Sequence, residues 1–187
     1  MTSVKKTETE KNLLKSFIGE SCASMKYTLF SSIAKKDGFE QISSVFTETA
    51  GNEKEHAKRF YSFLDEGSIE IKNIFDVDTI GSTIDNLKTA AIGENIEYTK
   101  IYPIMATIAD KEGFHDIAKC FRKIAVVEQY HESVYLKLIK RIETGFFKNK
   151  DIVKWKCRNC GYVYESQNAF EICPVCLHNI SYMEKLQ

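Results

Sequence analysis

Proline and glycine are scarce in this chain, two and nine among 187 residues. Both break helices, so their scarcity, with no low-complexity segment, excludes a loop-rich or all-β fold and leaves room for long helices. Net charge is missing too: 26 basic residues balance 26 acidic ones, and the signs are interspersed. That balance gives no surface for nucleic acid or an anionic membrane. The first residues, MTSVKKTETEKNLL, lack an apolar core of the kind a signal peptide carries, and no later run approaches the ~20 apolar residues of a membrane span. A cytoplasmic protein without nucleic-acid or membrane partners is the expectation. Outside the last 31 residues only two cysteines occur; the other four form two CxxC pairs in the tail. Without an export signal, those pairs read as a metal site rather than as disulfides.

What the chain does have is one ligand pattern written twice. Glu20, Glu53 and His56 form the first copy, and Glu94, Glu128 and His131 the second, about 75 residues on. Each copy gives a lone Glu and then a Glu-x-x-His pair one helix later, the set that dinuclear carboxylate proteins project into a four-helix bundle. The duplication reaches beyond the ligands. Ile33, Ala34, Lys36, Gly38, Phe39, Ile42 and Phe46 recur 75 positions later, and Tyr27 recurs as Tyr102. Two helix hairpins packed about a pseudo-twofold axis, with metals on it, are therefore expected.

Helix-spaced stripes place every ligand inward. Leu13, Phe17, Glu20, Ser24, Tyr27 and Ser31 share one face; Ile42, Phe46, Thr49, Glu53, His56, Phe60 and Phe63 share another. The third stripe is Ile80, Ile84, Leu87, Ala91, Glu94, Tyr98, Ile101, Met105 and Ile108, and the fourth runs from Ile117 through Glu128, His131 and Tyr135 to Ile142. Thr7 with Glu10 reads as a capping box, and Gly38 and Gly113 as helix stops. The helices are expected over roughly 7–37, 39–65, 78–112 and 114–145. Short joints within each pair force antiparallel hairpins, and the long connection from Gly67 to Asp78 crosses the bundle. That connectivity is ferritin-like, in an all-α domain over 1–147, followed by a small metal-knuckle domain over 148–187 with a linker at Gly145–Asp151.

The copies differ at two places. Glu20 maps to Glu94 at an offset of 74 rather than 75, so one residue is inserted between Glu94 and Tyr102. Such an insertion predicts a π-bulge, in a helix that also carries Pro103. Glu97, opposite Ala23, is an extra carboxylate. Seven candidate ligands let a site choose: anionic Glu97 suits a ferric ion and neutral His56 a ferrous one, or Glu97 is a hydrogen-bonding partner of a ligand. Burying several unpaired carboxylates costs several kcal/mol each unless cations compensate, so metal binding is the reading, with iron or manganese favoured by oxygen-rich ligation. Tyr27 and Tyr102 are partners for ligating carboxylates or ordinary core tyrosines.

In the tail, WKCRNCGYVYESQNAFEICPVC places Cys157 and Cys160 in one knuckle and Cys173 and Cys176 in the other. So short a segment cannot fold on its core alone; a metal must hold it, with Trp155, Tyr162, Tyr164 and Phe170 shielding the site. Four thiolates take zinc or iron, and spacing does not decide between them. Iron makes more sense beside a redox-capable pair. Cys22 and Cys120 lie off the core stripes and read as structural or partly exposed thiols.

From about Thr9 to Glu184 the chain resembles the rubrerythrin family. The carrying segments are GESCASMKY, KKDGFEQIS, FTETAGNEKEHAKR, GENIEYTKIYP, VVEQYHE, WKCRNCGYVYE and CPVCLH. The resemblance implies a di-iron bundle with a rubredoxin-like iron site, hence two Fe and one Fe per chain, with zinc entering only by misincorporation. It implies Glu20, Glu53, Glu94, Glu97, Glu128 and His131 as ligands, with His56 exchanging against Glu97 on reduction. His56, Glu97, Tyr27 and Tyr102 then form the reacting machinery. It further implies an oxidative-stress peroxidase that turns hydrogen peroxide into water. In that picture the protein is a homodimer in which one subunit's rubredoxin-like site feeds the other's di-iron site, supplied by an NAD(P)H-dependent reductase or small electron carrier. Oxygen-dependent ferroxidase or iron-handling activity is the main rival, and a zinc-held binding module the second. Relatives usually have proline where this chain has Phe170 and Asn179, and asparagine and arginine where it has Met25 and Lys26.

Overall fold

Thr7 starts the first helix by accepting the Glu10 N–H on its hydroxyl. The computed structural model describes residues 3–72, 74 and 77–186; Asn73, Phe75 and Asp76, in the connection expected to cross the bundle, lie outside the described residues. Helix α1 runs Glu8–Lys36, α2 Glu40–Tyr61, α3 Thr83–Ile96, α4 Tyr102–Lys111 and α5 His115–Thr144, with a π-helical turn at Glu97–Ile101 joining α3 to α4. The capping box expected at Thr7 is half made. The Glu10 carboxylate reaches back to the Lys6 N–H instead of the Thr7 N–H, which already donates to Val4. A complete box stands at Ser82 and Asp85, and it delays the third helix to Thr83, so Ile80 is exposed and outside its stripe.

Both hairpins turn in the same way. Gly38 and Gly113 take φ +85°, and the next residue's N–H closes back on the helix: Phe39 to the Ala34 carbonyl and Phe114 to the Ala109 carbonyl, each at 2.8 Å. That left-handed conformation costs glycine nothing. The pseudo-twofold extends to the helix ends. The Asp37 carboxylate caps α3 by accepting the Thr83 N–H at 3.0 Å and its hydroxyl at 2.6 Å. Glu112, 75 residues after Asp37, caps α1 by accepting the N–H groups of Glu8 and Thr9 at 3.0 and 2.8 Å. A carboxylate at a helix N-terminus satisfies orphan donors and meets the favourable end of the dipole. Each hairpin closes the other.

The buried acids lie between two apolar clusters. One gathers Tyr27, Phe30, Phe46, Leu87, Tyr135 and Phe146; the other Leu13, Phe60, Tyr102, Ala106, Ile117 and Phe121. A fully buried phenylalanine such as Phe46 contributes about 1.5–3 kcal/mol by leaving water.

The third stripe fails beyond Glu94. Buried positions continue at Tyr102, Ala106 and Ala109, not at Tyr98, Ile101, Met105 and Ile108. From Glu94 to Tyr102 is eight residues, where the equivalent step from Glu20 to Tyr27 is seven. In a straight α-helix the eighth residue would point about 100° away from the seventh. The π-turn absorbs the extra residue, with the Tyr102 N–H donating to the Glu97 carbonyl, and returns Tyr102 to the core.

At the carboxyl end, strands β1 (Lys148–Cys157), β2 (Val163–Asn168) and β3 (Met183–Lys185) form an antiparallel sheet in the order β2-β1-β3, with Trp155 opposite Tyr164 and Lys185. Strand β1 takes in Lys148–Asp151, so the linker is shorter than expected, only residues 145–147. Nor is that connection a free tether: Phe146 lies under the Arg141 guanidinium at 4.1 Å and Phe147 stacks on Phe39 at 6.0 Å. Among the described residues no helix is long and apolar enough to cross a membrane.

Candidate metal centres

Four helices bring six acidic and imidazole side chains together. Glu20 comes from α1, Glu53 and His56 from α2, Glu94 from α3, and Glu128 and His131 from α5. Two overlapping groups result: Glu20, Glu53, His56 and Glu128, and Glu53, Glu94, Glu128 and His131, the ligand atoms of each within 4.8 Å of one another. His56 Nδ1 lies 2.8 Å from Glu53, 3.0 Å from Glu128 and 3.8 Å from Glu20. His131 Nδ1 repeats the arrangement at 2.8 Å from Glu128, 3.1 Å from Glu53 and 3.8 Å from Glu94. Glu53 and Glu128 therefore belong to both groups, and each group draws on both halves of the chain.

Despite this crowding, Glu20 Oε2, Glu53 Oε1, Glu94 Oε2, both Glu128 oxygens and His131 Nδ1 are buried without hydrogen-bond partners. They crowd together yet are not aligned as donor and acceptor. Buried acceptors in that state are costly alone and well suited to a shared cation. The donor set fits two metal ions.

Charge in the pocket is resolved by protons until a metal replaces them. Burial disfavours the His56 imidazolium, but Glu128 and Glu53 outweigh it and push its pKa up to about 9. Burial likewise opposes the His131 cation, and the carboxylates of Glu128, Glu53 and Glu94 raise its pKa to about 12. Glu53 pays desolvation but lies against both imidazoles, which pull it down to about 2. Glu94, raised by burial more than His131 lowers it, reaches about 7, and Glu20 is pushed well up by burial and by Glu97.

Tyr27 and Tyr102 cross the pseudo-axis. The Tyr27 hydroxyl, on α1, donates to Glu94 Oε1 at 2.6 Å, and the Tyr102 hydroxyl, on α4, donates to Glu20. Each tyrosine thus holds the lone Glu of the other copy. Glu97 is half-buried in the π-turn and outside both groups, with burial first and then Glu94 raising its pKa. Sequence reasoning passed over Tyr135 as core. It is fully buried, its ring lies 5.9 Å from that of Tyr27, and its hydroxyl has no partner. The signal was its counterpart 75 residues back, Phe60, which has no hydroxyl to place.

The four tail cysteines form the third group, with Cys157 and Cys176 sulfurs 3.6 Å apart and Cys160 and Cys173 likewise. Both knuckles turn alike: the Gly161 N–H donates to Cys157 O and the Leu177 N–H to Cys173 O. The backbone N–H of His178 draws the Cys176 pKa down to about 6. Trp155 is buried beside the sulfurs as expected, but Met183 and Ala169 complete the cover, while Tyr162 and Phe170 stay partly exposed. Phe170 instead stacks on Tyr164 at 3.9 Å, and Asn179 caps the 3-10 turn at Ile180–Tyr182. Cys22 is exposed and Cys120 half-buried, both away from the metal groups.

These features define a ferritin-like dinuclear carboxylate protein joined to a four-cysteine, rubredoxin-like unit. Comparison with known proteins places it more closely. Residues 11–139 match the Rubrerythrin family, and residues 155–184 match the family described as Rubrerythrin, rubredoxin-like domain. A rubrerythrin of Porphyromonas gingivalis is 51% identical over 186 residues, which span 99% of this chain and 93% of the relative. A rubrerythrin of Nitratidesulfovibrio vulgaris is 47% identical over 187 residues, spanning 100% and 98%. The solved structure of nigerythrin in its fully reduced, all-ferrous state superposes with a TM-score of 0.66 at 28% identity, covering 98% of this chain and 92% of that one. The chain belongs to the rubrerythrin family. Its two kinds of site are the di-iron and four-cysteine iron sites of an iron-based oxidoreductase.

Proposed function

We propose that this protein is a peroxidase that reduces hydrogen peroxide to water in oxidative-stress defence. The carrying observation is a buried pair of Glu/His groups sharing Glu53 and Glu128, in one chain with a four-cysteine site. Two iron ions held together supply two electrons at one place, which is what cleaving an O–O bond takes, and the four-cysteine iron passes single electrons. Residues 1–147 are the reacting unit and 148–187 the electron-delivering unit. In this reading Glu20, His56, Glu53 and Glu128 would hold one ion and Glu94, His131, Glu53 and Glu128 the other. Glu97 would be the carboxylate alternative to His56 as a ligand. Tyr27 and Tyr102 orient Glu94 and Glu20 and keep a proton at each carboxylate, burial holding both phenols well above their ordinary pKa.

Electrons come from an NAD(P)H-dependent reductase or small carrier in the cytoplasm, and in a homodimer the four-cysteine iron of one subunit serves the di-iron site of the other. The test is steady-state peroxide consumption by the iron-loaded protein with NADH and a reductase. Turnover that stops when Cys160→Ser removes the relay supports the reading. Ferrous-iron oxidation by dioxygen with negligible peroxide turnover would replace it with the ferroxidase, and a colourless protein with stoichiometric zinc in both sites with the binding module.

A further inference from the structure

The π-turn that carries Glu97 is poorly held by its own backbone and packing. None of its five residues is buried, and Pro103, just beyond, has no N–H to give back to the preceding turn. The Thr99 hydroxyl donates to the Asn95 carbonyl at 2.5 Å, a bond within the same helical turn that reaches no other element. What ties the turn to the rest of the bundle is a three-residue network. The Tyr98 hydroxyl donates to Glu132 Oε2 at 2.8 Å, and the Asn95 amide donates to Glu132 Oε1 at 2.9 Å and to the Tyr98 oxygen at 3.1 Å. Both Glu132 oxygens are thereby engaged. Glu132 follows His131 directly on α5, so the network joins the turn to the helix that carries Glu128 and His131.

The first copy has no such network. Asn95 and Glu132 correspond to Ser21 and Ala57, and Tyr98 to Ala23 or Ser24, depending on which side of the insertion it is counted. Ser24 is spent on the Ala50 carbonyl. The extra carboxylate, the inserted residue and the network thus occur together in one hairpin and are all missing from the other. A purely structural link between helices would be as useful in both.

We propose that Tyr98, Asn95 and Glu132 form a clamp that fixes the π-turn and so sets the position from which Glu97 reaches the metal pair. These are positioning residues, and their effect on iron rests on the reading of Glu97 as a ligand. Tyr98→Phe deletes one hydroxyl and keeps the ring; Glu132→Ala removes the hub. In metal-free protein, amide hydrogen exchange across residues 97–101 is expected to run roughly five- to tenfold faster in Tyr98→Phe, with α1 unchanged. In iron-loaded protein, the ferric Mössbauer signal of the bundle is expected to move toward that of Glu97→Ala, while the four-thiolate signal stays. Unchanged exchange at 97–101, or equal acceleration throughout α1 and α5, overturns the clamp. Faster exchange with an unmoved ferric signal, in a protein where Glu97→Ala does move it, overturns the claim that the clamp positions Glu97. If Glu97→Ala leaves the signal untouched, the ligand reading of Glu97 falls, and exchange still decides the clamp.

Discussion

Glu20 is a liability to the metal-free protein. It is fully buried and faces Glu97, Glu53 and Glu128, against which stand the Tyr102 hydroxyl and, at 3.8 Å, the His56 imidazole. Glu20→Gln keeps an acceptor for Tyr102 and removes the charge. Its expected effects oppose one another: the chelated variant melts higher by on the order of 5 °C, while its iron content drops, which calorimetry and metal analysis read separately. The histidines predict a pH dependence of the same metal-free protein. His56, raised to about 9 after burial is overcome by Glu128 and Glu53, contributes stability that is whole below its unfolded value and fades as pH rises through 9. Glu94, raised by burial to about 7, adds a loss over lower pH in the same direction. Glu53, held near 2, loses its contribution only as acid is added below its unfolded value. Melting temperature should therefore fall steadily from pH 5 to 9 without metal and be flatter with iron bound; a rise over that interval would refute the proton-for-metal exchange. The residues gathered here were legible in the sequence because burial on helix-spaced stripes has no cheaper explanation for so many acids. Their sharing was not: that Glu53 and Glu128 join both groups depends on the facing of helices, which no single stripe reports.

At the scale of elements, the two knuckles are near copies with one mismatch. Gly161 has φ +79°, where glycine is at ease; Leu177, at the equivalent place, has φ +59° and is largely exposed. A branched side chain in the left-handed region costs about 1–2 kcal/mol, so Leu177→Gly should stabilise the C-terminal unit by about 1 kcal/mol, measured as slower loss of its iron to a chelator. A faster loss would mean the Leu177 side chain holds something its exposure hides. The π-turn shows how far the sequence could be read at this scale. Offsets of 74 and 75 between copies located the inserted residue and forecast its form, yet the apolar stripe drawn across it followed a straight helix and named Tyr98, Ile101, Met105 and Ile108 as core. Periodicity assumes an unbroken phase; the comparison of copies does not. Likewise the start that the stripe implies at Asp78 is moved to Thr83 by the full capping box at Ser82 and Asp85, a local signal that periodicity does not carry.

For the molecule as a whole, the C-terminal unit and the bundle differ in what they depend on. Besides two of the cysteines, only Trp155, Ala169 and Met183 are buried apolar side chains among the described residues of this unit, with Phe147, Val153, Tyr164, Ile180 and Tyr182 partly buried against them, so removing a ligand should unfold it alone. Cys173→Ser is expected to expose residues 148–187 to limited proteolysis while the bundle melts within about 3 °C of the unaltered chain; an intact tail would show that its packing suffices. The one place where this separation blurs is the Phe146–Phe147 connection, read from the sequence as a linker because nothing in its length announced that Phe39 and Arg141 would receive it.

The crossed carboxylates at the helix ends have a consequence for the chain's connectivity. Because Asp37 accepts the Thr83 N–H and Glu112 those of Glu8 and Thr9, each half, once separated, would lose first-turn partners that its own Thr7 or Ser82 cap does not replace. Covalent continuity through the exposed Glu66–Ser68 stretch then matters less than the presence of both halves. A chain split after Gly67 should yield two fragments, each weakly helical alone, that regain helicity and bind iron on mixing in equal amounts. On that outcome the bundle is a pairing of two unlike hairpins, each supplying the carboxylate that completes the other's helix start.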